Sequence, residues 1–220
     1  PSDLPLGRHL LRGRLSDQDP ESAETTVELI DGAGLSIVSD IDDTIKHSEV
    51  LDTSRLLRNT FSRPFESIPH MAPLYRDWQS RGASFHYVSS SPWQLISPLQ
   101  EMMSRSGFPL GSMHLKRFRL KDRSILSLLK DPRSTKPPII QRLLDTWPLR
   151  RFVLIGDSGE ADPEVYGQLS RDNPGRIASI YIRELRGYGR GEPRYRSAFA
   201  GIDPDRWQLF TEPTSLPWPT

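Results

Sequence analysis

The stretch Leu35-Ser36-Ile37-Val38-Ser39-Asp40-Ile41-Asp42-Asp43-Thr44 decides the fold. A short apolar run leads without a break into three carboxylates in four positions, as a buried parallel strand does when it ends in a functional loop. The same texture recurs downstream: residues 84–88, 113–118, 151–155 and 177–182 are apolar runs that complete a set of five strands. Helical stretches fall between them, at 71–81, 93–105, 122–130, 135–147 and 162–171. This alternation predicts an α/β fold, a doubly wound, mainly parallel five-stranded Rossmann-like sheet whose right-handed crossovers place helices on both faces.

Around this core the pattern predicts three units. Residues 1–34 alternate weakly across a polar turn at 16–22 and read as a β-hairpin, residues 35–205 form the main α/β unit, and 206–220 read as a Pro-rich tail. Residues 46–69 have no strong period and suggest a small insertion after the first strand, placed to cap a site. The glycine- and arginine-rich segment 186–201 reads as a flexible basic loop.

Composition narrows the chemistry. With 29 Lys and Arg against 28 Asp and Glu, the net charge of the 220 residues is +1, so no global field attracts polyanions and nucleic-acid binding is not expected. The absence of cysteine excludes disulfide scaffolds, thiolate zinc sites, iron–sulfur clusters and cysteine nucleophiles. The longest apolar runs are far shorter than the roughly 18 residues of a membrane span. No signal-peptide pattern is legible, and the chain opens on Pro1, which leaves room for a segment upstream.

Asp40, Asp42 and Asp43 repel one another unless a cation neutralises them, and oxygen donors without Cys or paired His suit a hard ion such as Mg²⁺. A D-x-D-x-T run is expected by chance far less than once in a chain with 17 Asp and 10 Thr. A second acidic cluster, Gly156-Asp157-Ser158-Gly159-Glu160-Ala161-Asp162, ends the fourth strand. Side by side, the two strands aim both clusters into one crevice. Asp162 also has a competing role as helix cap, with Glu160 as a turn residue. Of Ser89-Ser90-Ser91, Ser91 is expected to cap the helix that Pro92 opens, leaving Ser89 to bind an oxyanion. Lys136 is read at a helix start, where the dipole disfavours a cation; a site role and a solvent-facing one both fit. Lys116, Arg117, Arg119, Lys121 and Arg123 form a basic stretch that could meet anionic lipid, though an ordinary strand and helix start with solvated charges is the better reading of it. Trp93, beside the serines, could line an apolar entrance but reads more readily as core, and His47, His86 and His114 read as core or surface rather than metal ligands.

In order, an aspartate pair, a strand-end Ser, a Lys and a second acidic loop resemble the four motifs of the haloacid-dehalogenase-like phosphotransferase superfamily. The wording of 39–46, 87–94, Lys136-Pro137 and 156–166 is similar to the catalytic domain of the actin-patch-type phosphatidate phosphatases. The likeness covers about 35–185, and the preceding hairpin resembles the end of that family's upstream β-rich region. It implies a Mg²⁺-dependent phosphatase hydrolysing phosphatidate to diacylglycerol and phosphate. Asp40 is the implied nucleophile, forming an aspartyl-phosphate, and Asp42 the acid and base. Asp40, Asp157, Asp162 and the Asp42 carbonyl hold the metal, while Ser89, Thr44 and Lys136 bind the phosphoryl group. Asp43 is structural. A phosphatase for a soluble phosphomonoester and a non-catalytic interaction protein are the alternatives. A cytoplasmic location with peripheral contact to anionic membranes is the matching expectation.

Overall fold

The computed structural model describes residues 4–14, 23–47, 64–116 and 132–219. Two strands, β1 (Gly7–Gly13) and β2 (Ala23–Leu29), pair antiparallel as the expected hairpin, with Leu10 opposite Thr26. The main sheet is built from β3 (Ala33–Asp40), β4 (Ser84–Pro92), β5 (Gly111–Lys116), β6 (Leu149–Asp157), β7 (Ile177–Arg183) and β8 (Trp207–Phe210), in the order β5-β4-β3-β6-β7-β8. Every neighbouring pair in it is parallel. Among the described residues the sheet has six strands rather than five. The sixth, Trp-Gln-Leu-Phe, falls where the Pro-rich tail was expected to begin; four residues at a sheet edge are too short to show a period of two above the polar sequence around them.

Among the described residues, five helices cover the sheet: α1 (Met71–Ser80), α2 (Ile96–Ser106), α3 (Pro132–Thr146), α4 (Asp162–Asp172) and α5 (Pro193–Ala198). The alternation of side chains along each strand divides the core in two. Ile37, Val153 and Ile155 pack with Tyr75 and Trp78 of α1 and Leu99 and Met102 of α2. Val38, Phe152 and Leu154 face the other way, against Ile140 and Leu144 of α3, Val165 and Leu169 of α4 and Tyr195 of α5. Both faces of the sheet are therefore buried, which is why its central strands read as unbroken apolar runs.

Segment 186–201, expected as a flexible loop, contains α5, started by Pro193 and anchored by the fully buried Tyr195. The two stems of the insertion at 46–69 meet: Lys46 pairs antiparallel with Ser67, and the His47 amide donates to the Glu66 carbonyl at 2.9 Å. Residues 48–63 of that insertion, the helix expected at 122–130 and most of the basic stretch 116–123 lie outside the described residues. None of the described helices is long and apolar enough to cross a membrane.

From β3 the chain moves outward on one side to β4 and β5, then returns to the other side of β3 to lay down β6. This makes the carboxyl end of β3 the point where the winding reverses, and such points open a crevice for ligands. Asp40 pairs with Val88, and Ser39 with Ile155. The register thus brings Asp40 at the end of β3, Ser89 one residue past its partner Val88, and Asp157 at the end of β6 to the same edge of the sheet.

Candidate active site

Asp40 is the last residue of β3 and is 1% exposed. Beyond it the chain turns tightly: the amides of Ile45 and Lys46 both donate to the Ile41 carbonyl at 3.0 Å, and buried Ile41 and Ile45 pin the turn to the core. Asp43 takes a left-handed conformation, φ 54°, which Asp tolerates better than most residues, and its carbonyl accepts from Arg183 Nη1 at 2.8 Å. Asp43 thus shapes the turn that returns Asp42 over the strand end. Thr44 Oγ1 donates to Asp40 Oδ2 at 3.1 Å.

The Asp42 carboxylate is held on both oxygens. Lys46 Nζ lies 2.8 Å from Oδ1, and the hydroxyls of Ser89 and Ser91 donate to Oδ2 at 2.8 and 2.7 Å. The expected cap at Ser91 is absent: β4 runs on to Pro92, no side chain caps the 3-10 turn that follows, and the Ser91 hydroxyl is spent on Asp42 instead. Trp93, expected in the core, is 42% exposed.

Lys136 is sealed from solvent, which removes the solvent-facing reading. Because α3 begins at Pro132, Lys136 stands a turn inside the helix rather than at its start. Its Nζ lies 2.8 Å from Asp40 Oδ1, 2.5 Å from Asp162 Oδ1 and 3.0 Å from Glu160 Oε2. Asp162 is the first residue of α4 but caps nothing; its Oδ2 accepts the Asp157 amide at 3.2 Å. Glu160, read as a turn residue, has its carboxylate on the lysine. Gly156 makes this packing possible, since a Cβ there would lie 2.1 Å from Asp162 Oδ2.

Asp157 Oδ1 accepts the amides of Gly159 at 2.6 Å and Glu160 at 3.2 Å, which fixes the side chain. Its Oδ2 is buried and has no hydrogen-bond partner among the described residues. One carboxylate oxygen from each of Asp40, Asp157 and Asp162 lies within 4.8 Å of the others. Ionised together with Glu160, these groups carry −4 against the single charge of Lys136. Burial, and then the neighbouring Asp162, push the Asp157 pKa up to about 8. Burial also raises Asp40 well above the usual carboxylate range, against the pull of Lys136. On Lys136 burial works to remove the proton, but Asp162 and Asp40 outweigh it and hold the ammonium charged. An orphaned buried carboxylate oxygen amid all-oxygen donors and excess negative charge fits one hard divalent cation.

Sequence reasoning missed the support behind the acidic loop. Arg194 of α5 donates to the carbonyls of Ser158, at 2.5 Å, and Glu160, and to both oxygens of Glu164 at 2.8 and 3.0 Å. Ser158 Oγ donates to Glu184, which also accepts from Tyr195. The signal was a single arginine in a segment that composition alone marked as loop. His86 is buried, bonded through Ser36 and Ser112, and no histidine joins the carboxylate cluster among the described residues.

Residues 35–184 match the family model described as the catalytic domain of phosphatidate phosphatase APP1. The chain belongs to this family. Phosphatidate phosphatase APP1 of Saccharomyces cerevisiae is 34% identical over 169 residues, covering 75% of the chain and 28% of that protein. An uncharacterized protein of Schizosaccharomyces pombe is 31% identical over 185 residues, 80% of the chain and 29% of its own length. The chain therefore spans under a third of each of these relatives. The haloacid-dehalogenase-like fold of the APP1 catalytic domain is seen in solved structures that share little sequence with it. A Mesorhizobium loti protein assigned as a had-like phosphatase matches with a TM-score of 0.52 at 14% identity, over 87% of this chain and 85% of that one. A Listeria monocytogenes protein matches with a TM-score of 0.51 at 10% identity, over 83% and 94%.

Proposed function

We propose that this APP1-type domain is a Mg²⁺-dependent phosphatidate phosphatase that works through an aspartyl-phosphate on Asp40. The observation that carries the reading is the buried set Asp40, Lys136, Asp157 and Asp162, where an orphaned carboxylate oxygen lies beside a carboxylate placed to attack. Family membership supports the substrate.

Asp40 attacks phosphorus in line: a bond forms from its carboxylate oxygen to phosphorus, and the bond from phosphorus to the ester oxygen breaks. Asp42, returned over the strand end, gives its proton to the departing alkoxide. Water then attacks the phosphorus of the aspartyl-phosphate, Asp42 takes the water's proton, and phosphate leaves with Asp40 restored. Lys136 neutralises phosphoryl charge from the other side of Asp40, and Thr44 and Ser89 supply hydroxyl donors to the phosphoryl oxygens. The carboxylates of Asp40, Asp157 and Asp162 and the carbonyl of Asp42 are the groups that would hold Mg²⁺, which when bound offsets the negative charge of carboxylates and phosphoryl oxygens. Phosphatidate resides in bilayers, so the domain is read as working peripherally at an anionic membrane surface from the cytoplasm.

The test is release of phosphate, with and without Mg²⁺, from phosphatidate in vesicles and from soluble phosphomonoesters. Mg²⁺-dependent release from vesicles is expected. A wide preference for soluble esters would reject the lipid assignment, and no release from any ester would reject the enzyme.

A further inference from the structure

The geometry points to Lys46 and Ser91 as positioning residues for Asp42. This assignment rests on the phosphatase reading above, in which Asp42 handles the proton of the leaving group. Among the described residues the Asp42 carboxylate accepts from Lys46 on Oδ1 and from the two serines on Oδ2. One of them has a second duty. Ser89 donates to the phosphoryl group when substrate binds, and a hydroxyl has a single hydrogen, so it cannot serve Asp42 at the same moment. Lys46 and Ser91 are then the described groups that keep the carboxylate aimed.

Both are built to stay in place. Lys46 is 4% exposed. Its carbonyl accepts the Asp43 amide at 2.7 Å, its main chain bridges to Asp42 and Ser67, and its ammonium lies 4.8 Å from the centre of the Phe65 ring. Ser91 is fixed through its amide, which donates to Ser89 Oγ at 2.8 Å. Their effect runs through Asp42, and it is greatest where the leaving oxygen most needs a proton. An alkoxide does; a nitrophenolate leaves as a stable anion.

The experiment compares kcat/KM for an alkyl phosphate and for p-nitrophenyl phosphate in wild type, Lys46→Met, Lys46→Arg and Ser91→Ala. Lys46→Met and Ser91→Ala are expected to lower the alkyl value by roughly 10- to 100-fold, the range of supporting residues at catalytic centres, with the nitrophenyl value falling by less than about 3-fold. Lys46→Arg recovers most of the alkyl activity. Equal losses on the two esters, or no loss on either, would overturn the assignment while leaving the phosphatase reading intact. Wild-type inactivity toward both esters and toward phosphatidate in vesicles overturns the phosphatase reading and this assignment with it. Should Lys46→Met fail to fold, Ser91→Ala, at a partly exposed position, decides the question by the same two outcomes.

Discussion

The ammonium of Lys136 lies 2.8 Å from a carboxylate oxygen of Asp40, with both side chains closed to solvent. The ammonium offsets part of the cost of burying that carboxylate, and Asp162 holds the ammonium as well, at 2.5 Å. Lys136→Met therefore removes the partner of several buried carboxylates at once, and a loss of about 3–5 kcal/mol is expected from breaking a buried pair on one side. Urea unfolding without divalent ions reads this, and added Mg²⁺ should recover part of the loss.

Asp157 behaves in the opposite sense. Its burial beside Asp162 raises its pKa to about 8, so ionising it costs the metal-free fold. Asp157→Asn keeps the shape and removes the charge. Thermal unfolding without Mg²⁺ should show an unchanged or higher Tm, and the rise in Tm that Mg²⁺ gives wild type should vanish.

Arg194 holds the loop between Asp157 and Asp162 by its carbonyls and touches no carboxylate of the cluster. Arg194→Gln is expected to weaken Mg²⁺ binding by roughly 10- to 100-fold, as loss of a supporting bond does at other metal sites. Calorimetric titration of the metal checks it, with kcat at saturating Mg²⁺ staying near wild type.

His86 gives the fold an acid limit. Burial, with help from His114 and Arg150, lowers its pKa to about 3, against about 6.5 in the unfolded chain. Between these values the unfolded state binds the extra proton, so stability is full above about pH 6.5 and falls as pH drops. Arg150 reaches His86 through Ser36, and His114 through Ser112, whose lowered pKa acts in the same direction. Urea unfolding from pH 7 to 4.5, in saturating Mg²⁺ to keep the raised carboxylates ionised, should show a slope of up to about 1.4 kcal/mol per pH unit from one such group. His86→Gln flattens it.

Much of this was legible in the sequence. Unbroken apolar runs ending in Asp40 and Asp157 gave the strands and their functional ends, because strands buried on both faces leave little room for polar residues. Strand β8 was not legible, since four residues carry no period. Ser91 was misread because Ser-Pro is a sound helix start by local rules, whereas here Asp42, 49 residues earlier in the chain, claims its hydroxyl. Lys46 and Arg194 share that difficulty: a lysine after a turn or an arginine in a loop looks solvated until the fold supplies its partner.

The most direct test of the central claim is to quench the wild-type enzyme with acid during turnover of a phosphomonoester in Mg²⁺ and locate any attached phosphoryl group by peptide mass spectrometry. A hydroxylamine-labile phosphoryl group on Asp40, absent from Asp40→Asn, is the predicted result. Phosphate release by an Asp40→Asn protein, or a phosphoryl group carried on another residue, would contradict the account.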